Sequence, residues 1–129
     1  MKTMMCMLML AVSLLTGCGG GDSAERVFAD MSANMREMST ILESVTDEAS
    51  AKAAVPRIEA VRAKMRDCAK RARSVRRPDA ATEQRLDAAV QAMQREVMPT
   101  LAANQQRLMA QPALMAILAP ALQGMENDL

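Results

Sequence analysis

Two stretches of this sequence set apolar side chains three and four residues apart five times in succession, a spacing that admits little besides an α-helix with one buried face. In the first, Phe28, Met31, Met35, Met38, Leu42 and Val45 follow one another at 3, 4, 3, 4, 3; in the second, Ile58, Val61, Met65, Cys68, Ala72 and Val75 repeat the pattern. A helix turns once in about 3.6 residues, so such positions stack along one side, whereas a half-buried strand would need strict alternation. Composition agrees with the spacing. Half of the residues are apolar, yet Phe28 is the only aromatic, and alanine, methionine, arginine, glutamate and glutamine dominate. Those residues lose little freedom in a helix, while the β-branched and aromatic strand formers are scarce.

The boundaries of the helices follow from capping residues and prolines. Asp22 with Glu25 three residues on has the form of a capping box, which predicts a first helix over residues 24–45. Thr46 before Asp47 and Glu48 reads as a second N-cap with acids in its first turn. Pro56 then kinks that helix or restarts it at its first position, and a short helix feeding a long one is the favoured form. The second helix is expected to end before Pro78. Asp79 is the next N-cap, and Leu86, Val90, Met93 and Val97 carry a third seam as far as Pro99. Beyond it the apolar positions shift to Leu101 and Leu108, a change of phase that a kink at Pro99 explains. Pro112 opens a last apolar segment with Leu114, Met115, Ile117, Leu118 and Leu122, interrupted by Pro120 and stopped by Gly124. The expected fold is all-α: an antiparallel three-helix bundle or long helical hairpin with a short C-terminal helix.

The N-terminal residues carry a different kind of signal. Lys2 supplies a positive start, and Met4 to Leu15 is apolar except for Ser13, a run too short to span a bilayer comfortably but of the length of a signal-peptide core. It closes with Leu15-Thr16-Gly17-Cys18, four consecutive positions that resemble the lipobox of bacterial lipoproteins. The resemblance covers roughly the first twenty residues. It implies that the Cys18 thiol receives diacylglycerol, that a lipoprotein signal peptidase cuts between Gly17 and Cys18, and that Cys18 becomes the new N-terminus. Two or three acyl chains would hold the protein stably, since each buried methylene contributes roughly 0.8 kcal/mol. Gly19 to Ser23 then reads as a flexible tether with a reach on the order of 12 Å. Aspartate directly after the lipidated cysteine favours inner-membrane retention in such lipoproteins; Gly19 stands there, so the resemblance implies an outer-membrane protein facing the periplasm. The expected organisation is a signal peptide at 1–17, a lipidated cysteine and tether at 18–23, and a helical domain at 24–129.

Charge and residue type narrow the work the domain can do. The 129-residue chain has a formal charge of +1, and loss of Lys2 would leave 15 bases facing 15 acids, so no global field points to nucleic acid. The charges are unevenly placed. Residues 22–48 carry seven acids against Arg26 and Arg36, while residues 57–77 carry nine bases against Glu59 and Asp67, so the first two helices are expected to attract one another. Histidine, tryptophan and tyrosine are absent, which removes the commonest general base and metal ligand and the best stacking platforms. Glu43 and Asp47 are four residues apart, but no base accompanies them, and no catalytic constellation emerges.

Packing accounts for three features that could otherwise carry chemistry. Cys68 would be the last thiol once Cys6 is removed and Cys18 lipidated, and its place between Met65 and Ala72 makes it a buried small hydrophobe rather than a reactive group. Met31, Met35 and Met38 share one face, and thioethers bind Cu(I), so a periplasmic copper-handling protein is the alternative reading; the same spacing is what a core requires, and no histidine completes a site. The basic stretch from Arg57 to Arg77 could meet lipid headgroups, but a salt-bridged helix face is the simpler account. The stretch Asp47 to Met65 resembles segments of small uncharacterised secreted helical proteins, a likeness that implies no activity. The expectation is a lipid-anchored, non-catalytic binding or structural module of the cell envelope. It would need no cofactor and would have an envelope protein as its partner.

Overall fold

The computed structural model describes residues 22–125, which form five helices and no strand among the described residues: α1 (Ala24–Glu43), α2 (Glu48–Ser74), α3 (Ala80–Glu96), α4 (Met98–Met109) and α5 (Pro112–Leu122). Contacts between helices set their directions. Asn34 meets Cys68 and Glu37 meets Lys64, so α1 and α2 are antiparallel. Glu25 meets Arg85, Ser32 meets Met93 and Arg36 meets Glu96, so α3 runs parallel to α1. Asn104 reaches Ser39 and Arg107 reaches Leu42, so α4 continues the same rod. The result is an up-down-up bundle whose third rod is broken, with α5 turning back to pack on α2 and α4.

This topology makes the two halves unequal. Around the α1–α2 turn four helices meet, and Met38, Ile41, Leu42, Val45, Ile58, Val61, Leu108, Leu114 and Leu118 form one continuous core there. Each large side chain so buried contributes about 1.5–3 kcal/mol relative to exposure. Toward the start of α1 only three helices remain, and α3 buries no residue fully. The third seam therefore packs less than its spacing predicts: Leu86, Val90 and Met93 are half-buried, and only Val97, at the break, is buried. α1 shows the reverse. It is flanked by α2 on one side and by α3 and α4 on the other, so its buried surface extends to Val27 and Ile41, and to Ser32, Asn34 and Ser39.

Local chemistry accounts for the ends. Ser23 caps α1, its hydroxyl accepting from the Arg26 amide at 3.1 Å, in place of the expected Asp22, whose carboxylate is held by Arg71. Asp47, one residue later than expected, caps α2: its carboxylate accepts from the Ser50 amide at 2.7 Å, and the Ser50 hydroxyl accepts from the Asp47 amide at 3.0 Å. Asp79 caps α3 as its sequence predicts, accepting from the Thr82 amide at 2.7 Å.

Two prolines expected to interrupt helices do not. α2 passes through Pro56 and α5 through Pro120. Each removes one backbone donor, but the carbonyls left over, on Lys52 and Ala116, belong to exposed residues where water can serve them. Burial of Ala54 and Ile58 beside one proline, and of Leu118 and Ala121 beside the other, holds the helix together. Pro99 behaves as expected: α3 ends at Glu96, Val97 is shared, and α4 restarts with the proline in its first turn, where a missing amide costs nothing. Gly124 takes φ 77°, the left-handed region that suits glycine, just after α5 ends.

Candidate functional site

The chain enters the bundle at its thinner end, and a single guanidinium organises that entrance. Arg71, in the last turn of α2, donates from Nε and Nη2 to the two carboxylate oxygens of Asp22, both at 2.7 Å, and Nη2 lies 2.8 Å from Asp30. Asp67 stands 3.7 Å from Nη1. The forked geometry of arginine suits this bidentate pairing, which a lysine could not reproduce. The Asp22 carboxyl is consequently held below its ordinary range, chiefly by its hydrogen bonds from Arg71, and Arg71 is held charged, chiefly by Asp22 and then Asp30. Asp22 and Ser23, read from sequence as the end of a tether, are thus both engaged by the folded domain.

Beneath this clamp lies Cys68, free and buried, with the Asn34 side-chain amide donating to its sulfur at 3.5 Å. Burial pushes the thiol up, against the opposing pull of Arg71. A raised, enclosed thiol is a poor nucleophile, so the residue packs as its place in the seam predicts.

Beside the clamp, Val27, Phe28, Val75, Leu86 and Val90 line an apolar groove of about 350 Å³ between α1, α3 and the end of α2. It exists because α3 closes incompletely on the hairpin. A second apolar hollow of about 340 Å³, lined by Leu42, Leu101, Leu108, Met115 and Leu122, lies at the opposite, thicker end.

The basic stretch of α2 divides into two populations. Lys64 pairs with Glu37 at 2.7 Å, Arg71 forms the clamp, and Arg62 donates at 2.7 Å to the Ala121 carbonyl. Lys70, Arg73 and Arg76 are exposed and form no ion pair among the described residues, and Arg77, its side chain 90% exposed, reaches Glu83 only at 3.5 Å. Attraction between the acidic first helix and the basic second therefore operates through Glu37, Asp22 and Asp30, and leaves the end of α2 positively charged.

Sequence reasoning missed two arginine contacts. Arg107 of α4 donates to the Val45 and Leu42 carbonyls, each at 2.8 Å, and Arg62 serves Ala121 in the last turn of α5. Neither α1 nor α5 has a base in its own last turn. Neighbouring helices thus supply the cations that orphaned carbonyls and the negative end of the helix dipole favour. The signal for Arg107 was available in its position directly before the core residue Leu108.

Met38 is buried in the main core, and Met31 and Met35 pack half-buried against it. No group of three histidine, cysteine, aspartate or glutamate side chains is placed to hold a metal among the described residues. Gly17 and Cys18 lie outside the described residues. No described helix is long and apolar enough to cross a membrane. Comparison with family models, curated proteins and solved structures finds no match to the chain.

Proposed function

We propose that the protein is a lipid-anchored lipoprotein of the bacterial cell envelope whose helical domain works as a non-catalytic binding or structural module. The observation that carries this reading is the run Leu15-Thr16-Gly17-Cys18 closing the apolar stretch Met4 to Leu15. In this reading, cleavage between Gly17 and Cys18 leaves Cys18 as the lipid-bearing N-terminus, and Gly19, standing where an aspartate would favour inner-membrane retention, leaves the periplasmic face of the outer membrane as the favoured location. The architecture supports the module reading. Its polar clusters are ion pairs and helix caps that hold elements together: Arg71 joins the start of α1 to the end of α2, and Arg107 closes α1 from α4.

The test is replacement of Cys18 by alanine with fractionation of the envelope. The wild-type chain is expected to be processed and recovered with outer membranes. The variant is expected to lose incorporation of labelled palmitate and to leave the processed, membrane-bound fraction. A processed Cys18→Ala protein that still partitions wholly with membranes would show that lipid on this residue is not what holds it.

A further inference from the structure

We propose that the thinner end of the bundle is a second membrane contact, docking on anionic phospholipid headgroups through Lys70, Arg73, Arg76 and Arg77 while the groove lined by Phe28, Val75, Leu86 and Val90 meets the apolar layer beneath. The proposal rests on the lipid-anchor reading, because the anchor fixes which end of the domain lies against the bilayer. Three glycines separate Cys18 from Asp22, and at the fully extended limit the four Cα-to-Cα steps span about 14 Å. Asp22 cannot swing freely beyond that, since both its carboxylate oxygens are held by Arg71 at 2.7 Å. The lipid on Cys18 therefore keeps the clamp, and with it the last turn of α2, within about two headgroup layers of the bilayer's hydrocarbon core.

Charge complementarity selects the occupant. On α2, Lys64 is engaged by Glu37, Arg71 by Asp22 and Asp30, and Arg62 by the Ala121 carbonyl, but Lys70, Arg73 and Arg76 have no ion-pair partner among the described residues, and Arg77 has only a long contact with Glu83; the exposed Lys52 and Arg57 lie toward the opposite end of α2. Lys70 and Arg73 are one turn apart on α2, and Arg76 and Arg77 follow in the segment after its cap. Of the nearby acids, Asp22 is taken by Arg71, Glu25 by Arg85 at 2.7 Å and Asp79 by the Thr82 amide, while Asp87 stands exposed beside the groove residue Leu86. Val75 lies within this basic run and also lines the groove, so apolar and cationic surfaces are continuous. Such a surface matches a bilayer, whose headgroups and acyl layer are stacked in that order.

Each base near an anionic surface is worth about fivefold in the docked-to-undocked ratio, so neutralising Arg73, Arg76 and Arg77 together should lower it on the order of 100-fold. The chain contains no tryptophan, so a single introduced one reports without background. The mature lipidated protein carrying Phe28→Trp is reconstituted in vesicles of phosphatidylcholine alone, or of phosphatidylcholine and phosphatidylglycerol in equal amounts, each with brominated acyl chains. Val75→Trp serves as a second reporter in case one substitution perturbs the groove, and Met109→Trp, on α4 at the far end, serves as the distant control. Circular dichroism checks the fold of each.

The proposal expects strong quenching of the Phe28 or Val75 reporter in phosphatidylglycerol vesicles, weak quenching in phosphatidylcholine, loss on triple Arg→Gln substitution or at high salt, and none for Met109→Trp. Quenching equal at both ends, or unaffected by phosphatidylglycerol, overturns it while leaving the anchor intact, because the protein still floats with the vesicles. A reporter that blue-shifts with protein concentration but is not quenched assigns the groove to a second copy and overturns the lipid proposal. Failure to float with either vesicle is the separate failure of the anchor itself.

Discussion

Arg107 offers the sharpest test of how the bundle is held together. Its guanidinium donates to the Leu42 and Val45 carbonyls at 2.8 Å each, at the end of a helix whose own last turn has no base. A hydrogen bond with a charged partner contributes about 1.5–3 kcal/mol net, and a cation at a helix C-terminus adds about 0.3–1 kcal/mol. Arg107 is half-exposed, so water recovers part of this when the side chain is removed. The expected cost of Arg107→Gln is then about 2 kcal/mol, or roughly 10 °C in Tm for a domain of this size. Arg107→Lys keeps the charge but has no planar fork for two carbonyls at once, and should lose about half as much. Arg36→Gln is the contrast: its pair with Glu96 is 3.3 Å long with side chains 55% and 64% exposed, and such pairs are worth about 0–1 kcal/mol. The assay is urea unfolding of the chain from residue 19, followed by far-ultraviolet circular dichroism. Equal midpoints for the Arg107→Gln and Arg36→Gln variants would refute the idea that a neighbouring helix caps α1.

Two further outcomes follow from the unequal halves and from the clamp. Leu118→Ala, in the core, should cost about 2–5 kcal/mol, whereas Leu86→Ala, on the helix that buries nothing fully, should cost less than about 1 kcal/mol in the same unfolding assay. In acid, Asp22 is held below its ordinary value of 3.8, so the stability it contributes is present above that value and lost as pH falls through its lower folded value. The gap in urea midpoint between wild type and Asp22→Asn should therefore be constant above about pH 5 and close progressively below it. A gap that widens in acid would reverse the assigned sign.

Helix type and order were legible because periodicity reports a buried face directly: Ile58, Val61, Met65 and Cys68 are all buried as their spacing requires. What the periodicity could not show is how many neighbours a face would have. Leu86, Val90 and Met93 keep helical spacing yet remain half-buried, because only α1 and α4 pack appreciably on α3. Conversely Ser32 and Ser39 are buried although polar, since α1 is enclosed from two sides, and Asn104 is buried where α4 packs on α1; Ser32 meets the Met93 sulfur and Asn104 reaches the Ser39 carbonyl, each at 3.5 Å. Pro56, expected to kink α2 or to restart it after a short helix, lies inside one continuous helix. Packing of Ala54 and Ile58 on either side outweighs one exposed orphan carbonyl. The clamp at Arg71 was hidden for another reason: nine bases in one stretch look alike in sequence, and only the antiparallel pairing of α1 with α2 decides which of them faces Asp22 and Asp30.

That same pairing links the core to the surface that remains available. α5 is 11 residues long and reaches along α2 only as far as Arg62, whose guanidinium closes it by taking the Ala121 carbonyl. The part of α2 that α5 covers contributes Ala51, Ala54, Ile58 and Val61 to the four-helix core. Beyond Arg62, α2 has only α1 as a close neighbour, so its outward positions are left to solvent, and those positions include Lys70 and Arg73. A longer α5 would bury more apolar area but would lie over these bases, desolvating charges that have no acid to meet them, at a cost of several kcal/mol each. The length of the last helix thus sets how far the four-helix part of the core extends along α2, and it leaves Lys70 and Arg73 uncovered toward the end of the bundle where Asp22 enters α1.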